Sequence, residues 1–166
     1  MAARIEHRAE FSRGIADVFT AVAGREAVQA RLDAIGGHNA RIVTYSHDGD
    51  QWRFVLHQGV TADKLPSFVR TLHRGDLVVE REHTWTKTGD TYTGAVKATV
   101  SGVPGDIGAR TDLVAEGART VLRTNGEVKV HLPFVGGKIE GFVAGQVTDL
   151  LRSEAEFTAQ WLGEPS

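Results

Sequence analysis

The stretch LPFVGGKIEGFV, Leu132 to Val143, carries a Gly137-Lys138 pair of the kind that cradles phosphate. A phosphate-binding loop needs Gly-x-x-x-x-Gly-Lys followed by Ser or Thr, after a buried parallel strand. Here Ile139 follows the lysine, and Leu132 stands where the first glycine belongs. The residues just before it alternate Val128, Val130 and Leu132 against Glu127, Lys129 and His131, as an antiparallel strand with one wet face would. The glycines therefore read as a hinge, turning without Cβ clashes, with Gly141 and Gly145 letting a following helix lie close to a sheet. One further reading stays open: free N–H groups at that helix start, together with Lys138, could hold an anionic head group.

A second set of polar residues falls on apolar phases. His7 shares a face with Ile5 and Phe11; Arg81 and His83 share one with Val79 and Trp85. Tyr92 goes with Val96 and Val100, and Thr124 with Leu122 and Val128. An apolar wall with a few convergent polar groups is the usual design of a small-ligand site. The alternatives are a satisfied polar network in a closed core, or a phase slip of one residue that turns all of them to solvent. His83 is the acid/base candidate, with Arg81 as an oxyanion-type stabiliser. Glu80 and Glu82 fall on the face opposite Trp85, and Ser12, Ser46, Ser67 and Ser101 sit in no nucleophile-elbow context. A buried Arg81 needs a ligand carboxylate, a protein acid or water to meet it. That requirement points to a fatty, steroidal or polyketide-like acid as guest. The seven histidines are scattered, with no His-Glu-x-x-His, and there are no cysteines. No metal site, disulfide or cysteine nucleophile is expected, and no cofactor.

These residues need elements to position them. ARIEHRAEF alternates as a half-buried strand. Ser12 then reads as an N-cap for a helix carrying Ile15, Val18, Phe19 and Val22, broken at Gly24. REAVQARLDAIGG makes a second short helix closed by Gly36 and Gly37. Hairpins follow around Asp48-Gly49-Asp50 and Thr88-Gly89-Asp90, and two more strands turn near Glu116 and Gly117. DKLPSFVRTLHRGD reads as a short helix, a lid or a loop; its stripe of Leu65, Phe68, Val69 and Leu72 could cap a cavity mouth, meet a partner or pack on the core. From Gly136 to Leu162 a 3/4 spacing runs through Ile139, Phe142, Val143, Val147, Leu150, Leu151, Phe157, Trp161 and Leu162. A helix that long needs a long surface to lie on, and a curved antiparallel sheet supplies one. The expected class is α+β, in one domain over residues 1–166.

Composition narrows the function classes. The 166 residues are 41% hydrophobic and 24% charged, with a formal net charge of -2. No basic face suggests a nucleic-acid partner. No apolar run approaches a membrane span or a signal core, so a cytoplasmic protein, monomer or homodimer, is expected.

The order of elements resembles the helix-grip fold of the START, polyketide-cyclase and pollen-allergen superfamily (SRPBCC). More closely, the chain resembles an uncharacterised actinobacterial family, domain of unknown function 2505. The stretches that carry the likeness are RIEHRAEF, GDLVVEREHTW, and GEVKVHLPFVGGKIEGFVAGQVTDLL leading to EFTAQWL. The resemblance implies about seven antiparallel strands curved around the long C-terminal helix, with a cavity between them for an apolar or amphipathic molecule. His7, Arg81, His83, Trp85, Tyr92, Thr124 and Phe142 are the residues expected at that site. It does not imply an activity, since the fold serves carriers, sensors, cyclases and hydrolases alike. A carrier or sensor is placed first, a cyclase- or hydrolase-type enzyme second, and a protein-interaction module with a closed core third.

Overall fold

The computed structural model describes residues 2–72 and 74–163. The chain runs β1 (Ala3–Phe11), α1 (Ile15–Ala23), α2 (Arg25–Ile35), β2 (Arg41–Asp48), β3 (Gln51–Val60), a 3-10 turn (Ala62–Lys64), α3 (Ser67–Leu72), β4 (Leu77–Thr88), β5 (Thr91–Val100), β6 (Val103–Glu116), β7 (Arg119–Val130) and α4 (Gly136–Trp161). All seven strands join one antiparallel sheet in the order β1-β7-β6-β5-β4-β3-β2. The order follows from the connections: Gly49, Gly89, Gly102 and Gly117 have positive φ and close β2–β3, β4–β5, β5–β6 and β6–β7 as hairpins, while β3 and β4 pair across the longer segment that holds the 3-10 turn and α3. The first strand then pairs with the last, and the pair α1–α2 carries the chain from one sheet edge to the other.

Period-two burial fixes the inner face. In β1, Ile5 and Phe11 are buried while Arg4, Glu6, Arg8 and Glu10 are exposed. In β4, Leu77, Arg81, His83 and Trp85 are the buried residues. The phases read from sequence therefore hold. α4, with 26 residues, is about 39 Å long at about 1.5 Å per residue, and it lies against that inner face at β1 and β7. Between β3 and β4 the chain forms the short helix α3, whose Val69 is buried together with Leu65 just before it. His73 lies outside the described residues, as does the side chain of Leu72.

Four local expectations are corrected. Ser12 is not the N-cap of α1: the helix begins at Ile15, and Gly14 occupies the cap position without a side-chain bond. Gly141 and Gly145 do not bring α4 close to the sheet. Both face outward, and a Cβ on either would meet nothing within 4 Å. The hinge itself turns at Phe134, a non-glycine residue at φ 67 whose side chain stands fully in solvent. Of the hinge glycines only Gly136 is sterically required, because a Cβ there would press on the Val130 carbonyl oxygen at 2.9 Å. Trp161, finally, leaves the buried stripe: it is 46% exposed and stacks on Phe157.

Candidate functional site

Between the inner face of the sheet and α4 lies a pocket of about 390 Å³. That falls within the range of small-molecule sites, about 300–1,000 Å³. Small and branched side chains make its floor: Val79 on β4, Val96 and Ala98 on β5, Ile107 and Ala109 on β6, Leu122 on β7. Ile139, Phe142, Val143, Val147, Leu150 and Leu151 of α4 form the roof. Phe142 is half-buried and edge-on to Phe68 of α3 at 5.8 Å, and Lys138 lies 4.4 Å above that same Phe68 ring.

The register sets out the polar groups in rows. His7, Thr124, Thr111, Gly94 and Trp85 are successive cross-strand partners over five strands. The glycine in that row is required: a Cβ at Gly94 would lie 2.7 Å from Thr111 Oγ1 and 3.0 Å from the Trp85 ring. One step along, Arg81 and His83 alternate inward on β4. His7, Arg81, His83, Trp85, Thr124 and Phe142 thus border one pocket.

Tyr92 does not. It stacks on Phe19 at 3.8 Å between the edges of neighbouring aromatics, in the closed part of the core. Its phase is inward, but its place near the β4–β5 turn puts it beneath α1 instead of beneath the pocket.

The charged group of the site is a cluster of three. Arg81 Nη1 donates to Glu154 Oε2 at 2.9 Å and to Gln58 Oε1 at 2.9 Å, and Arg81 Nη2 donates to Glu154 Oε1 at 3.3 Å. Arg31 of α2 approaches the same carboxylate with Nε at 3.7 Å and donates Nη2 to the Val22 carbonyl at 3.2 Å. Burial by itself would push the Glu154 carboxyl up; the Arg81 and Arg31 guanidiniums override it and hold the group at about 2. His83 is driven the other way. Burial and then Arg81 hold its imidazole well below the ordinary histidine value, so the ring is neutral at pH 7. It stacks on Phe54 at 4.7 Å. His7 is also lowered, by burial and then by Arg152. Among the described residues, His83 Nε2 and Thr111 Oγ1 are buried without a hydrogen-bond partner.

The counter-charge required by Arg81 is therefore a protein acid. Glu154, Arg31, Gln58 and Thr111 all escaped the sequence reading, although the signal was available. Glu154 falls in the apolar stripe after Leu150 and Leu151, Arg31 falls between Val28 and Leu32, and Gln58 continues the inward phase of Phe54 and Leu56. The hinge has an unread acid too. Glu140 is buried at the start of α4 and accepts a hydrogen bond from the Val130 N–H at 2.8 Å. A carboxylate thus occupies the helix start, beside an antiparallel β7, which is no setting for a nucleotide phosphate. Among the described residues no group of three or more His, Cys, Asp and Glu could hold a metal ion, and no helix is long and apolar enough to cross a membrane.

Known proteins share both sequence and shape with this chain. Uncharacterized proteins of Mycobacterium tuberculosis and Mycobacterium bovis are each 29% identical to it, over 93% of either chain. Among solved structures, the Zhui aromatase/cyclase of Streptomyces superposes with a TM-score of 0.63 at 10% identity, covering 96% of this chain and 93% of that one. Norcoclaurine synthase of Thalictrum flavum gives 0.63 at 14%, covering 99% and 88%. A START superfamily protein of Mycobacterium smegmatis gives 0.56 at 14%, covering 96% and 98%. At such identities the likeness is one of fold, and that fold is the START/polyketide-cyclase helix grip. The family pattern described as "Protein of unknown function (DUF2505)" matches residues 6–162, and the chain belongs to that family.

Proposed function

We propose that the protein binds an apolar or amphipathic small molecule, lipid-, steroid- or polyketide-like, between the sheet and α4, as a cytoplasmic carrier or sensor. The observation that carries this reading is the pocket itself: about 390 Å³, walled by aliphatic side chains, with a charged cluster at one side. It also speaks against a closed core. Arg81, His83 and Trp85 would face the guest from β4, His7 and Thr124 from β1 and β7, and Phe142 from α4. The test is organic extraction of the purified protein with mass spectrometry, joined to a thermal-shift screen of amphipathic compounds. A binder at a hundredfold excess over Kd should stabilise by about 2.7 kcal/mol. No extracted compound and no shift with any of them would end this reading.

A second reading, a cyclase- or hydrolase-type enzyme, is favoured by one observation. His83 lines the pocket beside Arg81 with its Nε2 buried and without a hydrogen-bond partner, and burial keeps the ring neutral, as a general base must be before it takes a proton. It requires that His83→Gln abolish turnover of a reactive polyketide mimic while leaving ligand affinity within about threefold. Equal loss of both would reduce His83 to a wall residue.

A further inference from the structure

We infer that the pocket selects a guest with a monoanionic head group, and that Arg31 of α2 is the residue that meets it; this rests on the binding reading above. The charged cluster does not balance. It holds two guanidiniums, Arg31 and Arg81, and one carboxylate, Glu154. Arginine stays protonated inside proteins. His83 brings no compensating charge. One positive charge is therefore left over in a pocket whose remaining wall is mostly aliphatic.

The two arginines are not equally engaged. Arg81 is met by two carboxylate oxygens and by the Gln58 carbonyl, so its fork is occupied. Arg31 is just as buried, at 6% exposed against 7%. Yet its approach to Glu154 is 3.7 Å, beyond hydrogen-bond length, and its hydrogen bond goes to a single backbone carbonyl. Burial pulls its guanidinium down from the ordinary value, and only Glu154 opposes that. A buried guanidinium with spare donors on a pocket wall is a receptor for a carboxylate, sulfonate or enolate. A neutral guest would leave the excess charge unmet. An ammonium guest would add to it.

The position of Arg31 also sets the guest's direction. It lines the pocket beside Val22, Ile35 and Gly36, on the side covered by α1 and α2, whereas Phe142 and Lys64 lie toward α3. The head group would lie on the α1–α2 side and the apolar body would extend toward Phe142 and α3.

Two fluorescent naphthalene probes of nearly equal shape separate the possibilities: 1-anilinonaphthalene-8-sulfonate, an anion, and N-phenyl-1-naphthylamine, which is neutral. In the wild-type protein the anion should bind at least about tenfold more tightly, the minimum for one added charge-assisted hydrogen bond. Decanoate should displace the neutral probe at concentrations where decanol does not. Arg31→Met should cut affinity for the sulfonate by about tenfold or more and change that for the naphthylamine less than about threefold, while Arg31→Lys keeps most of the preference. Equal affinity of the two probes for wild type overturns the anion selection and leaves the binding reading intact. Retained preference in Arg31→Met overturns the assignment to Arg31. Failure of both probes to bind sinks this inference and the binding reading together. Should Arg31→Met not fold, the wild-type comparison of the two probes and of decanoate with decanol still decides the selection.

Discussion

The two ends of the concave sheet share the same strands and the same long helix, yet one is solid and the other hollow. At the solid end Phe19 of α1 stacks on Tyr92 and meets Trp52 and Trp85 edge-on, with ring centroids 3.8 to 5.6 Å apart. At the hollow end the corresponding inward positions hold Val79, Val96, Ala98, Ile107 and Ala109. Two differences account for this. The residues there are smaller, and the covering element is the six-residue α3 instead of the pair α1–α2. Curvature of the sheet creates the same concavity throughout; side-chain volume and plug length decide where it remains a pocket. The Arg31–Arg81–Glu154 cluster lies on the pocket wall along with Trp85, where the aromatic packing gives way to the aliphatic floor.

The comparison can be broken most severely at that cluster. Glu154→Gln leaves two buried guanidiniums without their counter-ion and should lower stability by about 3–5 kcal/mol in chemical denaturation at pH 7. A change below about 1 kcal/mol would mean the cluster is well hydrated. Within the solid end, Phe19→Ala should lose about 3–5 kcal/mol while affinity for a neutral naphthylamine probe stays within about threefold. At the hollow end Leu150→Ala, on a half-buried wall residue, should lose only about 1 kcal/mol. If the two truncations cost the same, the ends do not differ in packing.

Acid should act on the cluster in a defined window. Glu154 has its pKa depressed from 4.5 to about 2, so its contribution is complete above pH 4.5 and is lost as pH falls toward 2. By linkage this contribution is on the order of 3 kcal/mol. His83 begins earlier. Because its folded pKa lies below the ordinary 6.5, the unfolded chain takes up the proton first, and stability declines as pH drops beneath 6.5. Denaturation midpoints from pH 7.5 to 3 should therefore fall in wild type and fall less steeply below pH 6.5 in His83→Phe, where His7, also lowered by burial, supplies the remaining slope.

Sequence patterning made the architecture legible because each strand has one wet face and each hairpin one turn with glycine at positive φ. The inward polar residues His7, Arg81, His83 and Thr124 could be read from the same alternation. Tyr92 could not be assigned to the right end, since phase says which face a residue takes but not how far along the strand the pocket reaches. Glu154 and Arg31 are harder to read because they sit on helices, where an apolar stripe tolerates a polar residue more readily than a strand phase does. Their meeting with Arg81, 73 residues from Glu154, is a property of the closed fold. The hinge at Phe134 was hidden by its glycine neighbours, which look better suited to the turn that it makes.

The claim that the hollow end is a binding site is tested most directly by filling it. Ala109 lies on the pocket floor, with Gly126 and Val96 as its cross-strand partners. Titration of N-phenyl-1-naphthylamine into wild type and Ala109→Phe, with Val96→Phe as a second filling variant, should show saturable binding in the first and at least about a tenfold loss in the filled proteins, which corresponds to about 1.4 kcal/mol. Their melting temperatures should be no lower than that of wild type, because the added ring packs into pocket volume instead of into the closed core. Undiminished binding by both folded variants would place the probe elsewhere and contradict the assignment of this pocket.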